Sequence, residues 1–158
     1  MPRVAIIGAG PAGLMAAEQT IAVNGVNVDI FDAMPSVGRK FLMAGKGGMN
    51  ITHSEALPAF VARYGARAPN IAPLLDTFGP QALREWIAAL GIETFVGTSG
   101  RVFPSEMKAA PLLRAWLQRL RAAGAHFHVR HRWLGWQDDG RLRFATPQGE
   151  VALQADVV

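Results

Sequence analysis

The spacing of apolar residues changes along the chain, and each change marks an element. Val4-Ala5-Ile6-Ile7 is an unbroken apolar run, the pattern of a short strand buried on both faces. Leu14, Ala17 and Ile21 then recur at i, i+3 and i+7, which predicts a helix that Pro11 can open and Asn24-Gly25 can stop. A second strand should follow and end on Asp32. Residues 55–64 and 69–77 read as short helices with prolines in or near their first turns. Pro80 opens a clearer helix carrying Leu83, Trp86, Ile87 and Leu90 on one side, stopped by Gly91, and its tryptophan reads as core. Residues 94–97 and 101–104 resemble a small hairpin around Thr98-Ser99-Gly100.

The longest apolar stripe is Ala109, Leu112, Leu113, Trp116, Leu117 and Leu120, with Ser105 placed to cap the helix and Gly124 to end it. A strand over 125–130 would complete a parallel crossover and add a third strand to the sheet. Residues 131–136, 141–146 and 150–154 then read as a three-stranded antiparallel meander, turning at Asp138-Asp139-Gly140 and Pro147-Gln148-Gly149. The fold class expected is α/β: a Rossmann-like parallel sheet with helices on both sides, plus the meander.

The first strand–helix–strand unit carries chemistry. Gly8, Gly10 and Gly13 form a G-x-G-x-x-G set directly after the first strand, and Asp32 lies 19 residues beyond the last of them, at dinucleotide-fingerprint spacing. Gly8 permits the tight turn, Gly10 lets the backbone approach a pyrophosphate, and Gly13 lets helix and strand pack closely. The phosphates would sit on the free N–H groups at the helix start, and Asp32 could accept hydrogen bonds from an adenosine ribose. This fingerprint does not separate FAD from NAD.

A second glycine cluster, GRKFLMAGKGGMNIT at 38–52, combines Gly38, Gly45, Gly47 and Gly48 with Arg39, Lys40 and Lys46. It is not a Walker loop, because six residues separate Gly38 from Gly45 and Gly47 stands where the hydroxyl residue belongs. Asn50-Ile51-Thr52 matches a glycosylation acceptor by chance. A flexible ligand-binding loop and a surface loop with solvated cations fit its composition equally well.

With GAGPAGLMAAE, that stretch and SGRVFPSEMKAAPLLRAWLQRL, the chain resembles the HI0933-like, or BaiN-type, FAD-dependent oxidoreductases along essentially its whole length. The resemblance implies an FAD domain of the glutathione-reductase type, interrupted by a second domain, in longer chains. It places the pyrophosphate on Gly8, Gly10 and Gly13, the ribose on Asp32, the adenine side near Arg39 and Lys40, and the flavin end along Ala44, Gly45, Lys46, Gly47 and Gly48. Pro11, Ala12, Ala33 and Gly38, neighbours in the same motifs, complete the cofactor-binding set. Trp133 is expected to touch adenine through its backbone. Many relatives carry Arg-Cys-Asn where this chain has Gly48-Met49-Asn50, so a thiol role there is absent. Residues 1–158 are expected to be the amino-terminal part of such a domain, with 54–105 a mostly helical insertion and 131–154 the meander. The last residues, Ala155-Asp156-Val157-Val158, read as a strand just beginning, and the rest of the FAD domain and the substrate domain would lie beyond.

Composition adds limits. Sixteen Lys+Arg against twelve Asp+Glu give +4, which suits a phosphate-bearing ligand; Arg114, Arg119 and Arg121 ride on a predicted helix and read as a solvated face. The absence of cysteine excludes disulfides, a Cys zinc site and a redox dithiol. His126, His128 and His131 lack a completing ligand, so no metal is expected and surface or edge positions are preferred. No signal peptide or membrane span is read, which points to the cytoplasm.

Three functions follow. The first is an FAD-dependent oxidoreductase, with NAD(P)H as candidate donor and an unsaturated small molecule as substrate, for which no catalytic acid or base can be named. The second is an NAD-binding dehydrogenase or nucleotide-sensing module, for which stretch 38–52 has no obvious task. The third, a nucleic-acid-modifying flavoprotein, rests on positive charge alone, so the partner expected is a small molecule, with neither nucleic acid nor membrane.

Overall fold

A computed structural model describes residues 1–44 and 47–158. The chain divides into two compact units, one of residues 1–41 with 117–158 and one of residues 42–116.

In the first unit, β1 (Arg3–Ile7), β2 (Asn27–Asp32) and β6 (His126–Val129) form a parallel sheet in the order β1-β2-β6. Val157 makes a further parallel bridge to Val4 on β1, and the Ala5 N–H donates to the Val157 carbonyl at 2.9 Å. The chain therefore runs from β1 to one side through β2 and β6 and returns to β1's other side at its end. That reversal is the topological switch at which open α/β sheets bind ligands, beyond the carboxyl ends of their strands.

Register decides what each face carries. Val4 lies opposite Val28 and Ile6 opposite Ile30, and helix α1 (Pro11–Ile21) packs on that side, burying Leu14 and Ala17. Ala5 lies opposite Asp29 and Ile7 opposite Phe31 on the other side. There the meander β7 (Arg132–Trp136), β8 (Leu142–Thr146) and β9 (Gly149–Leu153) covers the sheet. Phe144 stacks on Phe31 at 4.5 Å, and with Ala5 and Leu142 they make a buried core edged by Val151, Leu153 and Ala155. The meander thus takes the face opposite α1, where a second helix layer would otherwise lie.

In the second unit, α3 (Leu57–Ala62), α4 (Ala68–Thr77) and α5 (Pro80–Ala88) precede the antiparallel pair β4 (Thr94–Val96) and β5 (Arg101–Pro104). The hairpin gains a third strand that periodicity does not reveal, β3 (Thr52–His53), paired to β5. Trp86 lies edge to face with the buried Trp116 at 4.8 Å.

Two local expectations need correcting. The flexible-loop reading of 38–52 fails over its first part, because Arg39–Ala44 is a helix, α2; Arg, Leu, Met, Lys and Ala are good helix formers. Ser105 does not cap the long helix, since α6 spans Ala109–Ala122 and Met107 holds a left-handed φ of 56° that no helical turn can include. The Ser105 N–H instead donates to the Glu93 carbonyl at 2.9 Å. Among the described residues no helix is long and apolar enough to cross a membrane.

Candidate functional site

The glycine turn lies at the carboxyl end of β1. Gly8 has φ 103°, a conformation that only glycine adopts without strain, and its N–H donates to the Phe31 carbonyl at 2.7 Å. Gly10 is the N-cap of α1, and Pro11 takes the first turn, where its missing N–H costs no hydrogen bond. A Cβ built on Gly10 would meet nothing within 4 Å, so this side of the turn is open to a ligand. A Cβ on Gly13 would lie 1.9 Å from the Gly8 carbonyl oxygen, so the helix approaches the strand too closely for any other residue. The first N–H groups of α1, with Ala12 exposed beside them, have no partner inside the helix and point toward that open side.

Asp32 is turned toward this turn. Its Oδ2 accepts the Ala9 N–H at 2.8 Å and its Oδ1 accepts the Met34 N–H at 2.8 Å. A carboxylate has about four lone-pair positions, so acceptor capacity remains for sugar hydroxyls. The loop carrying it is strapped down by the segment after β6: the His131 N–H donates to the Asp32 carbonyl at 2.9 Å, and the Arg130 N–H to the Met34 carbonyl at 3.0 Å. Arg130 reaches that position in a left-handed conformation, φ 58°.

The second motif joins the first through one backbone bond. The Gly38 N–H, at φ 67°, donates to the Ala9 carbonyl at 2.9 Å. That bond brings Arg39 and Lys40, both exposed, onto one cavity of about 250 Å³ with Gly10, Pro11, Asp32 and Gly38. The volume suits a diphosphate and a sugar better than a whole dinucleotide, since drug-sized ligands need roughly 300–1,000 Å³. Two cations and a helix start on one cavity suit an anion. The glycine turn, the open face at Gly10 and the aimed carboxylate therefore fit the ADP portion of a dinucleotide such as FAD.

Ala33 lines a neighbouring cavity of about 380 Å³ with Pro35, Arg130, Arg132, Ala145, Thr146 and Pro147. Trp133 lies on β7 with its indole partly exposed and lines neither cavity. Ala44, Gly47 and Gly48 belong to the second unit, where Gly48 has φ 105°. Gly45 and Lys46 lie outside the described residues. Sequence reasoning missed Ala9, Met34 and Ser36, which face the cavity through backbone or loop position and carry no distinctive side-chain chemistry.

His126, His128 and His131 do not form a ligand set, and among the described residues no group of three such side chains could hold a metal ion. His128 bonds the Asp29 Oδ1 at 2.6 Å and stacks on Phe31 at 4.6 Å, while Arg3 Nε donates to the other Asp29 oxygen at 2.7 Å. Burial opposes the charge on Asp29, but the Arg3 and His128 contacts outweigh it and hold this carboxyl below its usual range. The cluster ties β1, β2 and β6 together beneath the meander.

Comparisons with known proteins bear on the family and the fold. The family described as HI0933-like protein Rossmann domain matches residues 2–158. A ribosomal RNA dihydrouridine synthase of Haemophilus influenzae is 50% identical over 54 residues, which are 34% of this chain and 13% of that protein. Among solved structures, a 3-ketosteroid-delta4-(5alpha)-dehydrogenase of Rhodococcus jostii superposes with a TM-score of 0.67 at 14% identity, over 96% of this chain and 43% of that one. A flavocytochrome c3 fumarate reductase gives 0.64 at 21% identity, over 98% and 32%. The THI4 protein of Thermovibrio ammonificans gives 0.58 at 19% identity, over 98% and 54%. The chain thus spans about half the length, or less, of these proteins, and the structural likenesses show the Rossmann-type fold.

Proposed function

The chain belongs to the HI0933-like family, and from that premise we propose that it is the FAD-holding part of a flavin-dependent oxidoreductase. In this reading Gly8, Gly10 and Gly13 with the start of α1 bind the diphosphate, Asp32 accepts hydrogen bonds from the ribose hydroxyls, and Arg39 and Lys40 lie on the adenine side. The observation that carries it is the Gly38-to-Ala9 backbone bond, which sets the start of the second glycine motif, Gly38, Arg39 and Lys40, in the wall of the candidate cavity.

When bound, the flavin supplies hydride and electron transfer. The residues described here bind and orient its ADP end. Asp32 would repel a 2′-phosphate, so NADPH is disfavoured in this cavity, and with FAD seated there a nicotinamide donor binds elsewhere. The overall reaction we infer is reduction of an activated carbon–carbon double bond: NAD(P)H is oxidised to NAD(P)⁺, and a hydride and a solvent proton add across the bond. An unsaturated small molecule is one acceptor. The uracil ring of RNA is a second, and the identity to a ribosomal RNA dihydrouridine synthase favours it.

The full-length protein is expected to purify yellow and to gain more thermal stability from FAD than from NADH. A protein that takes up no flavin even after refolding with FAD, and is stabilised by NADH, would reverse the assignment in favour of an NAD-binding module.

A further inference from the structure

Asp32 ends β2 and leads straight into the loop 33–38, so its aim depends on what fixes that loop. Part of the restraint is local: the Met34 N–H donates to Asp32 Oδ1 at 2.8 Å and the Ala9 N–H to Oδ2 at 2.8 Å. The rest comes from two consecutive N–H groups beyond β6. That of Arg130 donates to the Met34 carbonyl at 3.0 Å, and that of His131 to the Asp32 carbonyl at 2.9 Å. Met34 is thus gripped on both sides, by the carboxylate at its N–H and by Arg130 at its carbonyl.

In an extended strand successive N–H groups point to opposite edges, so two in a row cannot serve one loop. Arg130 turns left-handed instead, at φ 58°, and successive N–H groups converge across such a residue. Among the described residues only Met107 shares this conformation without being glycine. The turn is anchored on both sides. Before it, β6 arrives in register with Asp32 opposite Val129. After it, the His131 Nδ1–H donates to the Val129 carbonyl at 2.9 Å, and the ring lies 5.9 Å from that of Phe31 and 6.1 Å from that of Phe144.

We propose that Arg130 is a positioning residue for the cofactor: its left-handed backbone, and not its guanidinium, presets the Asp32 carboxylate for the ribose hydroxyls. The inference rests on the placement of the ribose on Asp32 proposed above, and adds what holds that acid ready before the ligand arrives. A preset carboxylate needs no ordering when the sugar binds. With the strap released, the sugar itself must order the loop, so the ribose contacts weaken while the diphosphate keeps its seat on α1.

The test is a pair of titrations, read by flavin fluorescence, on the full-length protein freed of its flavin. One uses FAD and the other FAD whose adenosine lacks the 2′-hydroxyl. The parent should prefer FAD about tenfold, the worth of one hydrogen bond to a charged group. Arg130→Pro fixes φ near about −65° and removes the N–H, and the extended Val129 before it tolerates a proline, so the preference should shrink to about twofold or less. Arg130→Gly keeps the conformation and deletes the guanidinium, so the preference should stay at about tenfold. Arg130→Val keeps the N–H but disfavours the left-handed turn, and should fall between the two; it decides the question if melting curves show that the proline variant does not fold.

Equal losses of affinity for both ligands in Arg130→Pro, with the preference intact, would overturn the proposal, because they would mark a structural role alone. So would a glycine variant that loses the preference, since the guanidinium would then be the cause. A parent that binds both ligands alike would overturn the ribose placement, and this inference with it; a parent that takes up neither would overturn the flavin reading as well.

Discussion

Gly13 and Gly10 stand three residues apart in one motif, and the structure assigns them different penalties. Alanine at Gly13 would put its Cβ 1.9 Å from the Gly8 carbonyl oxygen and 3.3 Å from Ile6 Cγ2, where real Cβ contacts do not fall below 3.0 Å. The oxygen cannot swing aside, because its own peptide group is held by the Ala9 N–H bond to Asp32 Oδ2 at 2.8 Å, so α1 must retreat by about 1 Å. Overpacking of this kind costs about 1–3 kcal/mol, and the better helix propensity of alanine offsets about 1 of it. The expected net loss of about 1 kcal/mol lowers Tm by roughly 2–4 °C in a chain of this size. The retreat also draws the helix-start N–H groups away from the diphosphate; losing one charge-assisted hydrogen bond, about 1.5–3 kcal/mol, weakens FAD roughly 10- to 100-fold. Alanine at Gly10 meets no atom within 4 Å and keeps an allowed φ of −83°, so the fold should lose under about 1 kcal/mol. Its Cβ nonetheless occupies the face where the ligand approaches, and FAD affinity should fall by a similar factor. Thermal denaturation of the apo forms and quenching of flavin fluorescence on titration separate the two effects. Gly10→Ala protein that binds FAD like the parent would refute the placement of the diphosphate, and Gly13→Ala protein of parental stability would refute the packing argument.

Asp32→Ala removes the acceptor of the Ala9 and Met34 N–H groups as well as the sugar's partner, so FAD affinity should drop at least tenfold with a Tm loss of a few degrees; unchanged affinity by isothermal titration would detach the acid from the ribose. Asp29 has its folded-state titration pushed below the usual 3.8 by Arg3 and His128 acting against burial. A carboxyl lowered in this way contributes stability above about pH 4 and loses it as pH falls through the folded value. Melting curves of the parent should therefore drop steeply in that acid window, while those of Asp29→Asn start lower at neutral pH and run flatter there; parallel curves for the two would contradict the role given to this cluster.

Much of the fold could be read in the chain because its signals are local. The glycine turn, the proline-opened α1 and the apolar periods that became β1, α5 and the meander depend on φ/ψ preference and on spacing over a few residues. Helix α2 was hidden because the glycines around it suggested a loop. Ser105 misled because a helix start also needs the next residues in αR geometry, and Met107 turns left-handed instead. Nothing in a run of His and Trp residues shows that His128 will meet Asp29, 99 positions away, or that a bulge will bring two indoles to one side.

By itself the sequence determined the proposed nucleotide-binding half of the site: the glycines whose missing side chains make the turn possible and an acid at the length of one crossover, both set by backbone sterics within a single strand–helix–strand unit. Tertiary structure alone decided that this acid faces the turn, that Gly38 closes the cavity against Ala9, and that a bulge in β7 turns Trp133 and Trp136 to one face. Those features depend on strand register and on hydrogen bonds between distant segments, which form only once the sheet has placed the segments side by side.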